Sequence, residues 1–190
     1  NGYIQKEPLK KLLLYVNAAN IDLKAMSNEF YLKICKARLE PVLETLKIIA
    51  KSDCWLEITN LVIPGLNDSN DAIEKIIDFV VELEKLCKLG KKSKKTNKKV
   101  PLHFTAFYPA YKMLDKPITP EETLLRAREK ALKKLDYVYA GNIMNIEANS
   151  TYCPNCKKIL IKRIGFNVVE NNIREGKCNF CNTKIAGVWR

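Results

Sequence analysis

Cys54-Trp55-Leu56-Glu57-Ile58-Thr59-Asn60-Leu61-Val62-Ile63-Pro64-Gly65-Leu66-Asn67-Asp68-Ser69 joins an apolar run to a turn and the turn to a helix start. Residues 54 to 63 are short and apolar enough for a buried strand, and Pro64-Gly65 makes the chain turn at its end. Asn67, Asp68 and Ser69 supply turn and cap chemistry, after which Ile73, Ile76, Ile77, Val80 and Val81 recur at helical spacing to about Lys88.

The same rhythm extends outward on both sides. Upstream, Val16 to Leu23 reads as a strand that ends in the polar pair Asp22 and Lys24. Ser27 then caps a helix through Phe30, Tyr31 and Ile34, and a second helix begins at Pro41, turning Val42, Leu43, Leu46, Ile49 and Ala50 inward. Downstream, Leu102 to Phe107 is a third strand, and Thr119-Pro120-Glu121-Glu122 reads as a helix start with Thr119 as cap and Glu122 reaching back. That helix ends near Leu135, before a fourth strand from Tyr137 to about Ile143. Strands separated by helices are crossover units, which predicts an α/β fold with a parallel sheet buried on both faces. Four strand ends then meet at one mouth, at Asp22-Leu23-Lys24, Thr59 to Gly65, Thr105 to Tyr108, and Gly141-Asn142. Four strands do not close a barrel. Asn1 is not an initiator and the methionines, at 26, 113 and 144, fall inside elements or their connections, so a piece of a longer chain is the expectation.

Composition bounds the rest. The chain has 190 residues, 47% hydrophobic and 28% charged, with a net charge of +12, which is globular usage with a basic excess. Residues 88 to 99 hold seven lysines and no acid, and residues 151 to 190 hold eight Lys and Arg against two Glu, which leaves the remaining body near neutral. The lysine run has no apolar face and reads as a solvated loop. No run approaches the roughly 18 apolar residues of a membrane span, and the amino end is no signal peptide, so a soluble cytoplasmic protein is expected.

Cys153-Pro154-Asn155-Cys156 and Cys178-Asn179-Phe180-Cys181 are separated by 21 residues, a spacing suited to a four-thiolate ion. Short strands at Ile159 to Ile164 and Phe166 to Val169 complete a zinc ribbon over residues 149–190, with residues 1–148 as the main domain. Structural zinc is the reading, with a rubredoxin-like iron site or a redox pair as alternatives. A closed tetrathiolate has no vacancy for substrate, so no catalysis is expected there. Cys35, Cys54 and Cys87 lie in apolar segments and read as small core residues, and the only histidine, His103, as a packed and hydrogen-bonded strand residue, with a site role as the alternative.

Asn20-Ile21-Asp22-Leu23-Lys24, Glu57 to Asp68, Leu102-His103-Phe104-Thr105-Ala106-Phe107-Tyr108-Pro109, Tyr137 to Asn142 and the paired Cys-x-x-Cys, in that order, resemble the carboxyl half of radical S-adenosylmethionine (SAM) enzymes. Within them the chain is similar to the AmmeMemoRadiSam-system group and to pyruvate formate-lyase activating enzymes. The resemblance implies an incomplete parallel (β/α) barrel, half of a TIM-like barrel, whose family cleaves SAM reductively at a 4Fe–4S cluster to activate a protein or small substrate. It implies that Lys24 pairs with the SAM carboxylate, that Asp22 faces the methionyl end or a cation, and that Tyr108 stacks on or hydrogen-bonds the nucleoside. The implied partners are the N-terminal barrel half, or a chain supplying it, and a protein substrate of Memo-like or AMMECR-like type. The Cys-x-x-x-Cys-x-x-Cys motif and the Gly-rich SAM segment are absent, so this chain alone is expected to be inactive. In the alternative reading, the ribbon and the basic loop form a noncatalytic module for nucleic acid or an acidic protein. The neutral body, and a ribbon without an aromatic-basic stacking strip, argue against nucleic acid.

Overall fold

A parallel strand pair needs a crossover between its strands, and here the crossovers are helical. The computed structural model describes residues 1–88 and 98–189. An amino-terminal helix, Lys6–Leu12 (α1), precedes the first strand, Ala18–Asp22 (β1). A short helix Asn28–Phe30 (α2) continues as a π-helical turn through Tyr31–Cys35, and Leu39–Lys51 (α3) leads into Trp55–Val62 (β2). Asn70–Cys87 (α4) precedes Leu102–Ala106 (β3), and Glu121–Leu132 (α5) precedes Val138–Gly141 (β4). The four strands pair in the order β1-β2-β3-β4, all parallel.

Burial alternates along the strands. Leu56, Ile58, Asn60 and Val62 of β2 are buried while Trp55, Glu57, Thr59 and Leu61 are half-buried, and β3 repeats this with Leu102, Phe104 and Ala106 against His103 and Thr105. The buried set shares one core with Leu46 and Ile49 of α3, Ile76, Ile77 and Leu83 of α4, and Leu124 of α5. Each such Leu or Ile contributes about 1.5–3 kcal/mol. Helices therefore cover one face of the sheet, not two as the apolar strands suggested. The reason is topological: strands added in sequence order through crossovers of one hand place every helix on the same side.

The caps follow local chemistry, with one exception. Ser27 Oγ accepts from the Phe30 N–H at 3.2 Å and Ser69 Oγ from the Ala72 N–H at 3.1 Å. Pro41 lies within the first turn of α3, which starts at Leu39. Thr119 does not cap α5, whose cap position is Pro120. Its buried hydroxyl donates to Val62 O at 2.6 Å and accepts from the Phe107 N–H at 2.8 Å, tying the end of β2 to the segment after β3.

Residues 89–97 of the lysine run lie outside the described residues, and the solvated-loop reading fails at the run's end. Lys98 is buried, and its ammonium donates to the carbonyls of Ile49, Ala50 and Ser52 at 3.4, 3.2 and 3.0 Å, capping the carboxyl end of α3. Lys99 pairs with Glu84 and Asp136.

The chain then forms a helical turn, Ile146–Asn149 (α6), and an antiparallel sheet of Thr151–Tyr152 (β5), Ile159–Ile164 (β6) and Asn167–Asn171 (β7). A second pair, Ile173–Arg174 (β8) and Lys177–Cys178 (β9), follows. Leu160, Ile185, Ala186 and two cysteines form a small core with Tyr137, against which Trp55 and Tyr139 of the large sheet pack. No helix among the described residues is long and apolar enough to cross a membrane.

Burial pushes the Lys98 pKa down, while three carbonyl acceptors and the negative end of α3 oppose that desolvation. Bonds to a charged group are worth about 1.5–3 kcal/mol, so Lys98→Met lowers the free energy of unfolding by that amount in urea titrations. A loss under about 0.5 kcal/mol would mean that desolvation cancels the bonds.

Candidate functional site

The four knuckle cysteines converge. Their Sγ atoms all lie within 4.8 Å of one another, with Cys153 and Cys181 at 3.6 Å and Cys156 and Cys178 at 3.7 Å. A tetrahedral ion about 2.3 Å from each sulfur spaces them about 3.8 Å apart, so the group fits a metal. The two knuckles are built alike. Lys157 and Asn182, each following a knuckle's second cysteine, take left-handed φ values of 60° and 62°. Their N–H groups donate to Cys153 O and Cys178 O, while the N–H groups of Cys153 and Cys178 donate to Lys158 O and Thr183 O. Hydrogen bonds from the Thr183 hydroxyl and N–H hold the Cys181 thiol down to about 5.

At the strand tips, Asp22 and Lys24 pair at 2.9 Å, both half-buried. The tip of β1 is held by two asparagines: Asn60 donates to Leu23 O at 2.7 Å and Lys24 O at 3.0 Å, and Asn67 donates to Lys24 O at 2.6 Å. Asn60 Oδ1 is buried without a partner among the described residues. Tyr108 is exposed and its hydroxyl donates to Asn142 O at 3.0 Å, so it is tied to the β4 tip rather than to the Asp22–Lys24 pair. Asn142 holds a left-handed φ of 57° and donates back to Ala106 O.

Between these ends, the open face carries a polar row that sequence reading did not assemble. Asp22, Thr59, His103 and Tyr139 are register partners across β1 to β4. His103 stacks on Tyr139 with centroids 4.9 Å apart and donates from Nε2 to Glu57 Oε2 at 2.9 Å. Glu57 Oε1 accepts from the Trp55 indole at 3.2 Å, and the His103 bond holds the Glu57 carboxyl below the usual carboxylate range. The signal was present as the alternation of Glu57 and Thr59 with Leu56 and Ile58, and of His103 and Thr105 with Leu102 and Phe104.

The remaining cysteines do not fit an iron–sulfur cluster. Cys35 ends the π-helical turn, Cys54 precedes β2 and Cys87 ends α4; the last two are buried, and burial pushes all three thiols up.

Against known proteins, no family model matches the chain. It is 46% identical over 188 residues to an uncharacterized protein of Methanocaldococcus jannaschii, a match that takes in 97% of this chain and 52% of that protein. The chain thus spans about half the length of the curated relative it matches. Its fold is similar to a crystallised domain of pyruvate-formate lyase-activating enzyme from Bacteroides vulgatus, with a TM-score of 0.59 at 16% identity over 73% of this chain and 75% of that one.

Two outcomes follow from this geometry. Cobalt(II) titration of the apoprotein gives a tetrahedral thiolate spectrum saturating at about one equivalent, and Cys178→Ser abolishes it; an octahedral spectrum would rule out the four-sulfur site. Glu57 titrates lower in the folded chain than in the unfolded one, so its contribution to stability is complete above about pH 5 and is lost as pH falls from the usual carboxylate value of about 4.3 through the lowered one. Glu57→Gln therefore flattens the acid limb of stability against pH, as measured by thermal melts.

Proposed function

We propose that this chain is the carboxyl-terminal portion of a radical SAM enzyme, with β1 to β4 as a sector of a (β/α) barrel and the cysteine cluster as a structural zinc site. The observation that carries the reading is the sheet itself: parallel strands in sequence order, helices on one face and a polar row on the other. A doubly wound sheet has helices on both faces, whereas a barrel keeps them outside and turns the other face inward. The likeness of fold to the activating-enzyme domain and the order of the resembling motifs support it. Zinc suits four thiolates in a reducing cytoplasm, where it contributes folding energy and leaves no open position for chemistry.

Ligands of such sheets gather at the carboxyl ends of the strands, where Asp22, Lys24 and Tyr108 stand. Asn60 and Asn67 fix the Lys24 backbone through its carbonyl, and the half-buried Lys24 ammonium is suited to a carboxylate such as that of SAM. Asp22 keeps that ammonium in place, and Tyr108 offers an exposed ring for a nucleoside. The cluster belongs to a further portion, either N-terminal in a longer protein or on a partner chain, and the length of the Methanocaldococcus relative leaves room for the former. In this reading the substrate to be activated is a protein or a small molecule.

A second reading rests on the ribbon hairpin, where Ile164, Phe166, Val168 and Val169 are exposed beside Lys162 and Arg163. That combination suits an acidic protein partner, whose binding would weaken as salt rises.

Calorimetry separates the readings. The 190-residue chain alone shows no SAM binding below about 1 mM, the cluster-loaded longer protein binds SAM, and Lys24→Met weakens that binding about tenfold, or 1.4 kcal/mol. Tight SAM binding by the chain alone would defeat the half-site account. Unchanged affinity in Lys24→Met would remove Lys24 from it.

A further inference from the structure

The large sheet and the ribbon enclose a crevice of about 350 Å³ at the amino-terminal ends of the strands, bordered by Ala18, Trp55, Pro101 and Tyr137. It lies at the opposite ends of the strands from Asp22, Lys24 and Tyr108, so nothing in it depends on the SAM reading. Its walls are aromatic: Trp55 and Tyr139 from the sheet, and Trp189 from the carboxyl-terminal segment.

Trp189 is held in place as a wall. Its indole donates to Ile185 O at 3.0 Å, and the ring lies so close over Gly176 and Gly187 that a Cβ at either would come within 2.6 or 2.7 Å of it. Both glycines have positive φ, 71° and 154°, so the backbone path itself favours the residue type that leaves room for the ring. The Ala186 N–H donates to the Tyr137 hydroxyl at 3.3 Å, which ties the segment to the sheet.

Among the described residues, one cation lines this space. Arg163 lies on β6 two residues after Ile161, and both line the crevice, whereas Lys162 between them does not. Its guanidinium is near Glu57 and Tyr139 but makes no hydrogen bond or ion pair with a side chain among the described residues. Glu57 makes no ion pair with it; its Oε1 accepts from the Trp55 indole and its Oε2 from His103. A half-buried guanidinium with free planar donors, between aromatic rings, is a recognition element for an oxyanion attached to a flat body.

We propose that this crevice binds a small ligand that carries one oxyanion, carboxylate or phosphate, on an aromatic ring. Arg163 takes the anion, and Trp55, Tyr139 and Trp189 take the ring. The volume is near the lower end of the usual range for small-molecule sites, roughly 300–1,000 Å³, and suits one or two fused rings.

The two tryptophans of the chain both line the crevice, so intrinsic fluorescence reports on it directly. Phenylacetate and phenyl phosphate, titrated into the metal-loaded chain, should each be tested for a saturable fluorescence change, the tighter one identifying carboxylate or phosphate as the anion. Arg163→Met should weaken that binding about tenfold, Arg163→Lys less, and Lys162→Met not at all. Glu57→Gln should tighten it by removing a negative charge beside the anion. In the unsubstituted protein the bound probe should slow phenylglyoxal modification of Arg163 but not of exposed Arg174, a readout that needs no variant to fold. No saturable change with either probe up to about 10 mM, or equal protection of both arginines, would overturn the proposal.

Discussion

A parallel pair of strands cannot be closed by a tight turn, and most other features of this molecule follow from that constraint. Each return to the sheet requires a crossover, and repeating the crossover in one hand places α3, α4 and α5 together on one face. The helices supply the apolar partners for Leu56, Ile58 and Val62 on that side. The opposite face carries no helix: the ribbon packs against it at Trp55 and Tyr139, and its other residues include ones that tolerate water, Glu57, Thr59, His103 and Thr105. The polar row across the strands is thus a consequence of topology before it is a feature of any site.

The strand tips show how the geometry is held once the core has formed. A chain leaving β1 at Leu23 has carbonyls that no neighbouring strand can satisfy, and Asn60 and Asn67 supply the donors from beneath and beside it. Thr119 serves the tips of β2 and β3 in the same way with one hydroxyl that donates and accepts. These bonds join segments 12 to 57 residues apart, so they stiffen the mouth at which Asp22 and Lys24 stand. At the far end of α3, Lys98 performs the equivalent task for the last carbonyls of a helix.

The ribbon is attached to the opposite end of the sheet through aromatic side chains rather than through strands. Tyr137 lies in its small core, Trp55 and Tyr139 pack against it, and the Tyr139 hydroxyl is 3.0 Å from Thr151 Oγ1. That core has few large apolar residues, and the four cysteines, whose geometry fits a metal, make up much of it. The four-cysteine group and the aromatic crevice are neighbours in one arrangement, since the knuckles flank β6 and the carboxyl-terminal segment that pack against the sheet.

Spacing and periodicity alone were enough for the features that depend on residues near one another in the chain. The four strands, the caps at Ser27 and Ser69, and the two knuckles are local, because a strand, a cap or a Cys-x-x-Cys turn is specified by residues within a few positions. The boundaries shifted by at most three residues, with Ile159–Ile164 unshifted, and α1 carried too short an apolar pattern to be seen. What tertiary structure decided was everything that joins distant segments: which face of the sheet is covered, Thr119 bridging strands rather than capping α5, Lys98 buried at a helix end, and Glu57 bonded to His103 across 46 residues. A polar side chain takes whichever partner the packed chain brings within hydrogen-bond distance, and no pattern in the neighbouring residues specifies that partner.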